Sequence, residues 1–262
     1  MYKILIVWAL SQEVNVIKHE IKKIGLKNIK TSFLTTWIGN YNLILNLTRF
    51  LEKNRDFNFV INIGVCWYKD DNKDLLQIAR VFNLSNNKEL IIPNLFDFGQ
   101  LSSIACSEKI IYDSDSLDWE IYVDMESYGF EKALDSFALP RIILKVPIDK
   151  IWDETKNFDF DKASLLLQNN INYKLLFEKI ESYLENKLLS QKNAHENPIF
   201  EKYKNYFWFT FSENEIFKKL YYRYSALIND DFNVYFENNK ELGKKDFLKK
   251  MNSYLDWFLV KE

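Results

Sequence analysis

The sequence predicts an α/β protein with a helical C-terminal extension. Three observations predict it. The first half alternates short apolar runs with stretches of helical periodicity. One apolar run, Phe57–Gly64, ends in glycine as a buried central strand does. After Phe158 the strand signals stop and long amphipathic stretches take over. The expected domains are therefore an α/β domain over residues 1–192 and a helical segment over 193–262, with the polar stretch Asn193–Pro198 between them.

Each element has its own signal. Ile4–Trp8 reads as a buried first strand. Glu13–Ile24 carries Val14, Ile17, Ile21 and Ile24 at helical spacing, and Gly25 sits where a C-terminal cap belongs. Ile29–Trp37 and Tyr41–Leu47 alternate as strands joined by a hairpin at Gly39-Asn40, with a short helix over Leu47–Arg55. Gln77–Asn83, Glu89–Ile92, Leu101–Cys106 and Glu120–Val123 are further short strands. Met125–Phe137 reads as a helix and Arg141–Val146 as a buried strand. Asp159–Leu189 forms one long helix or two. Ser212–Glu215 has the spacing of a capping box before a helix over Ile216–Leu227, and Lys245–Val260 is a last amphipathic helix.

Composition narrows the class. The 262 residues are 47% hydrophobic and 27% charged, enough apolar material for a full core. A net charge of -2 gives no strong nucleic-acid signal and no pull toward anionic membranes. No apolar stretch approaches a membrane span, and the opening run is followed by no cleavage site. Cys66 and Cys106 are too few for a disulfide scaffold, so a cytoplasmic location and buried thiols are expected. His19 and His195 stand in no metal-ligand spacing, so no metal site is expected.

Three segments, in order, carry chemistry: Lys3–Val14, with Glu13 opening the first helix; Val60-Ile-Asn-Ile-Gly64; and Val123-Asp-Met-Glu126 followed by Pro140–Asp149. Together they resemble the methylthioadenosine/adenosylhomocysteine nucleosidases of the nucleoside phosphorylase superfamily. The third segment resembles the family's V-E/D-M-E helix start and its later P-x-x-x-x-R-x-I-S-D strand. The resemblance spans roughly residues 1–190.

It implies a three-layer phosphorylase-like mixed sheet flanked by helices, and cleavage of the N-ribosidic bond of a purine nucleoside or thio-nucleoside without metal or organic cofactor. Asp149 would protonate the leaving base. Glu126 would hold the ribose hydroxyls, with Met125 on the sugar face, and Glu13 would orient the attacking water. Gly64 and Trp67 would border the base. Bond cleavage builds positive charge on the sugar and negative charge on the base, so carboxylates near one and an acid near the other suit it. The family's assembly habit implies a homodimer or higher.

The sequence also departs from the family. Gly64 continues into Val65-Cys-Trp67 where small residues are usual. The early phosphate-facing loop reads Asn46–Phe50. Asn62 and Val65 stand where phosphorylases bind phosphate, which favours hydrolysis over phosphorolysis. The stretch from Gly64 to Met125 is short, leaving less chain to build a pocket wall.

Plainer readings stand beside these. Glu13 and Glu126 suit the first turn of any helix. Asp149 suits an N-cap, although open α/β sheets bind ligands at that end of a strand. Met125 suits a core, His19 a solvated helix face, and Asp113–Asp118 a solvated loop. The aromatic run Tyr206–Phe209, with Tyr221, Tyr222 and Tyr224, reads first as a small helical core and second as a stacking or partner surface. The alternative to a hydrolase is a catalytically inactive nucleoside-binding or protein-interaction member of the same fold.

Overall fold

The computed structural model describes residues 1–9, 11–69, 74–117, 119–135, 137, 139–151, 158–195, 198–228 and 231–260. These residues form two compact units, Met1–Glu185 and Asn186–Glu262. The sequence expectation put the division at 192/193; the packing of the chain puts it at 185/186.

The first unit is α/β. Strands β1 (Tyr2–Trp8) and β2 (Ile29–Thr35) run parallel, with α1 (Ser11–Ile24) between them and Gly25 closing that helix at φ +64. β3 (Phe59–Tyr68) is the hub. Its first residues pair in parallel with β1 along one edge, and β8 (Arg141–Lys150) runs parallel along the other. Its end pairs antiparallel with β7 (Tyr122–Asp124). β7 joins β6 (Gln100–Cys106), β6 joins β4 (Leu76–Asn83), and β4 returns to β8. Strands β3, β7, β6, β4 and β8 therefore close on one another, while β5 (Lys88–Ile91) extends the sheet from β4.

Alternation along β1 sets the layers. Ile4, Ile6 and Trp8 face a core shared with Ile17 and Ile21 of α1, Ala163 and Leu167 of α4 (Phe160–Asn170) and Phe177 of α5 (Tyr173–His195). Leu5 and Val7 face the opposite core, shared with α2 (Asn40–Lys53) and α3 (Ser127–Leu134). This is a mixed sheet between two helical layers. Asp159–Leu189 thus resolves into α4 and α5.

The hairpin expected at Gly39-Asn40 is a correction. Tyr41–Leu47 begins α2, and Gly39, at φ +97, is its N-cap. Alternating Tyr41, Leu43, Leu45 and Leu47 fit a strand, but Leu43, Leu47 and Leu51 also recur every four residues. The helix buries those three, contributing about 1.5–3 kcal/mol each, and leaves Tyr41 and Leu45 exposed. The Asn46–Phe50 segment read as a loop is consequently the middle of this helix. The helix expected over Met125–Phe137 is also shorter: α3 starts at Ser127, leaving Met125 and Glu126 as a free-standing link after β7.

The second unit comprises α6 (Pro198–Phe207), α7 (Phe211–Leu227), α8 (Phe232–Glu237) and α9 (Lys244–Val260) around Tyr203, Phe217, Tyr224, Phe236 and Phe247. The capping box belongs to Thr210 and Glu213, two residues before the expected pair. The aromatic run divides: Phe207 and Phe209 pack against the core, whereas Trp208 is 85% exposed. No helix among the described residues is long and apolar enough to cross a membrane.

Candidate functional site

A cavity of about 220 Å³ opens beside the ends of β1 and β7 and the middles of β3 and β8. Gly64, Trp67, Met125 and Glu126, four of the residues singled out from sequence, line it together, along with Asn62, Lys145 and Phe158. They come from segments far apart in the chain, and the ring of strands brings them together.

Gly64 and Lys145 are register partners on β3 and β8. A Cβ on Gly64 would lie 3.3 Å from the Lys145 ammonium, so glycine makes room for that side chain. Lys145 is 2% exposed and pairs with the fully buried Asp124 at 2.7 Å. Burial opposes its charge, but the Asp124 and Glu126 carboxylates outweigh burial and hold the ammonium above its ordinary range. A lysine so held is no Schiff-base nucleophile, which would have to be neutral.

Glu126 ends the link between β7 and α3. Its Oε1 accepts the Gly39 amide at 3.2 Å, so the start of α2 faces this carboxylate. Burial first, and then the like charge of Asp124, push its carboxyl up to about 7, against the pull of Lys145 and two backbone amides. It is a titratable group poised near neutrality in a cavity, the kind of group that functional sites hold.

Trp67 forms one wall without filling the space. Its ring meets Phe158 edge-on with centroids 6.2 Å apart, and Phe158 meets Phe160 at 4.9 Å. Its indole nitrogen is buried without a hydrogen-bond partner, as is the side-chain oxygen of Asn62, whose amide donates to the Val7 carbonyl at 3.2 Å.

The other two predicted residues are placed differently. Asp149 lies near the end of β8, 8% exposed, with its carboxylate paired to Lys162 of α4; it is not among the residues lining the cavity. Glu13 lies in the first turn of α1, and its side chain is outside the described residues. Cys66 and Cys106 are buried free thiols, both raised above their ordinary range by burial. No cluster of metal-ligating side chains occurs among the described residues.

Lys145 and Asp124 were missed by the sequence reading. The signal was present: a lysine inside the apolar strand Arg141–Val146 needs a buried counter-charge. It also occupies the arginine position of the P-x-x-x-x-R-x-I-S-D pattern.

No protein-family profile matches the sequence, and no curated protein matches it. Solved structures do. The MTAN of Chlamydia trachomatis superposes with a TM-score of 0.56 at 16% identity, over 69% of this chain and 99% of that one. The 5'-methylthioadenosine/S-adenosylhomocysteine nucleosidase of Helicobacter pylori, bound to butyl-thio-DADMe-Immucillin-A, gives 0.57 at 14% identity, over 70% and 99%. That of Neisseria meningitidis, bound to methylthio-immucillin-A, gives 0.55 at 12%, over 70% and 100%. The chain therefore shares the fold of these 5'-methylthioadenosine/S-adenosylhomocysteine nucleosidases.

Proposed function

We propose that the cavity binds a purine nucleoside or thio-nucleoside and that the chain hydrolyses its N-ribosidic bond. The observation that carries this reading is the placing of Met125 and Glu126 on the cavity wall beside Gly64 and Lys145, in a fold shared with nucleosidases. A buried carboxylate accepts the hydrogen bonds of a sugar diol and stabilises the positive charge that grows on the ring. The aromatic wall of Trp67, Phe158 and Phe160 offers apolar ring surface to a base.

In this reading water attacks the anomeric carbon while the bond to the base nitrogen breaks. Glu13 takes the water's proton, and Asp149 supplies one to the departing base. The proposed assembly is a homodimer.

A second reading, a nucleoside-binding protein without turnover, is favoured by one observation: the Asp149 carboxylate is engaged by Lys162 instead of facing the cavity. Base release from a panel of nucleosides separates the two, run with and without phosphate on wild type and Asp149→Asn. Phosphate-independent release that collapses in the variant supports hydrolysis. Binding by calorimetry without release supports the second reading. Neither binding nor release from any nucleoside sinks both.

A further inference from the structure

Asp124 is tied down more completely than any other side chain at this site. It is 0% exposed. Its carboxylate accepts the Ser127 amide at 3.1 and 3.2 Å and the Ser127 hydroxyl at 2.6 Å, and it pairs with the Lys145 ammonium at 2.7 Å. It thereby joins the start of α3 to the middle of β8, with Met125 and Glu126 held between.

Charge counting then singles out Glu126. The groups facing it are Asp124 from β7, Lys145 from β8, the Cys106 thiol from β6 and the Gly39 amide before α2. Two carboxylates act on one ammonium, and Asp124 pairs with it at 2.7 Å. The Glu126 charge is the one left over, and in a buried site a leftover charge is neutralised by a proton or by a ligand.

We propose that Asp124 is a positioning residue: by fixing Lys145 as an ammonium beside Gly64, it makes Glu126 the group that exchanges a proton when ligand hydroxyls enter the cavity. The proposal rests on the reading of this cavity as a sugar site and states how that site is regulated. Ligand binding is then coupled to proton release, because hydroxyl groups bond more strongly to the carboxylate than to the acid. Affinity rises with pH through the Glu126 midpoint.

The test is a side-chain NMR titration of the ligand-free protein, with the Glu126 carbon signal assigned by its loss in Glu126→Gln. In wild type the Glu126 signal titrates near neutrality while the Lys145 side-chain signal stays constant from about pH 5 to about pH 9. In Asp124→Asn the like charge is gone and Lys145 is free to pair with Glu126, so the Glu126 midpoint falls by about one pH unit or more. A purely structural role for Asp124 would leave that midpoint in place. An unmoved midpoint, or a Lys145 signal that titrates with Glu126 in wild type, overturns the proposal; the second measurement needs no variant to fold. The pH dependence of nucleoside affinity is measured in parallel. Titrations as expected with no nucleoside bound would leave the Asp124 role standing and sink the nucleoside reading instead.

Discussion

The Gly129 amide lies 2.6 Å from the side-chain oxygen of Asn40, and this bond fastens the start of α3 to the start of α2. The same oxygen accepts the Cys106 thiol at 3.3 Å, and the Asn40 amide donates to Glu108 at 2.8 Å. One asparagine thus locks together the two helices that Glu126 and Gly39 cap. A Cβ on Gly129 would meet the Asn40 carbonyl oxygen at 2.7 Å and its Cα at 2.8 Å, both backbone atoms with nowhere to move. Gly129→Ala is expected to cost about 1–3 kcal/mol and to lower Tm by several degrees. An unchanged thermal melt would show that the helices separate without penalty.

Gly64→Ala should behave in the opposite way. The added Cβ meets the far end of a lysine at 3.3 Å, and that end can shift. The fold is expected to survive with little change in Tm, while a displaced Lys145 weakens nucleoside affinity about tenfold, some 1.4 kcal/mol. Calorimetric binding beside a thermal melt checks the pair; a large loss of Tm with intact affinity would contradict it.

Glu126 makes stability depend on pH with a definite sign. Its folded value, about 7, lies above the ordinary 4.5, so the folded protein holds the proton more tightly than the unfolded chain. That contribution is fully present below about pH 4.5 and is lost as pH rises through about 7. Glu126→Gln removes the loss. The variant should gain stability relative to wild type between pH 5 and pH 8, read from denaturant midpoints at each pH. A constant difference across that window would mean that Glu126 titrates alike in both states.

Lys162 sits 47% exposed over an Asp149 carboxylate that is 10% exposed. A general acid must reach its leaving group, and the ion pair with Lys162 holds the Asp149 carboxylate away from the cavity lining. Lys162→Gln is therefore expected to raise the rate of base release, and Asp149→Asn to abolish it. Release that falls in Lys162→Gln would make the lysine a helper of Asp149 instead of a restraint.

Much of the frame was legible from periodicity. β1, β3 and β8 stand close to where their apolar runs put them, because strands buried along their length are largely apolar on both faces. Four of the six candidate site residues meet at one cavity, since glycine in an apolar central strand and an acidic link before a helix are local signatures. α2 was misread because its leucines satisfy two periods at once, and only burial by α3 and the sheet chooses between them. The Asp124–Lys145 and Asp149–Lys162 pairs join separate elements, and no local pattern reveals which charge will answer which. The division of the aromatic run into half-buried Phe207 and exposed Trp208 likewise depends on how α6 ends, with φ +50 at Trp208 just beyond it.

Cys66 and Cys106 are the only cysteines in the chain, both 0% exposed and both within the first unit. Each lies in the core shared with α2 and α3, which a reagent reaches only when strands β3 and β6 part from those helices. A thiol-modifying dye added to the native protein therefore works as a stopwatch: its colour develops at the rate at which the α/β unit breathes open. The helical unit has no cysteine and leaves no mark on that clock. An occupied cavity should slow it, so the two thiols offer a way to screen candidate ligands without following a reaction.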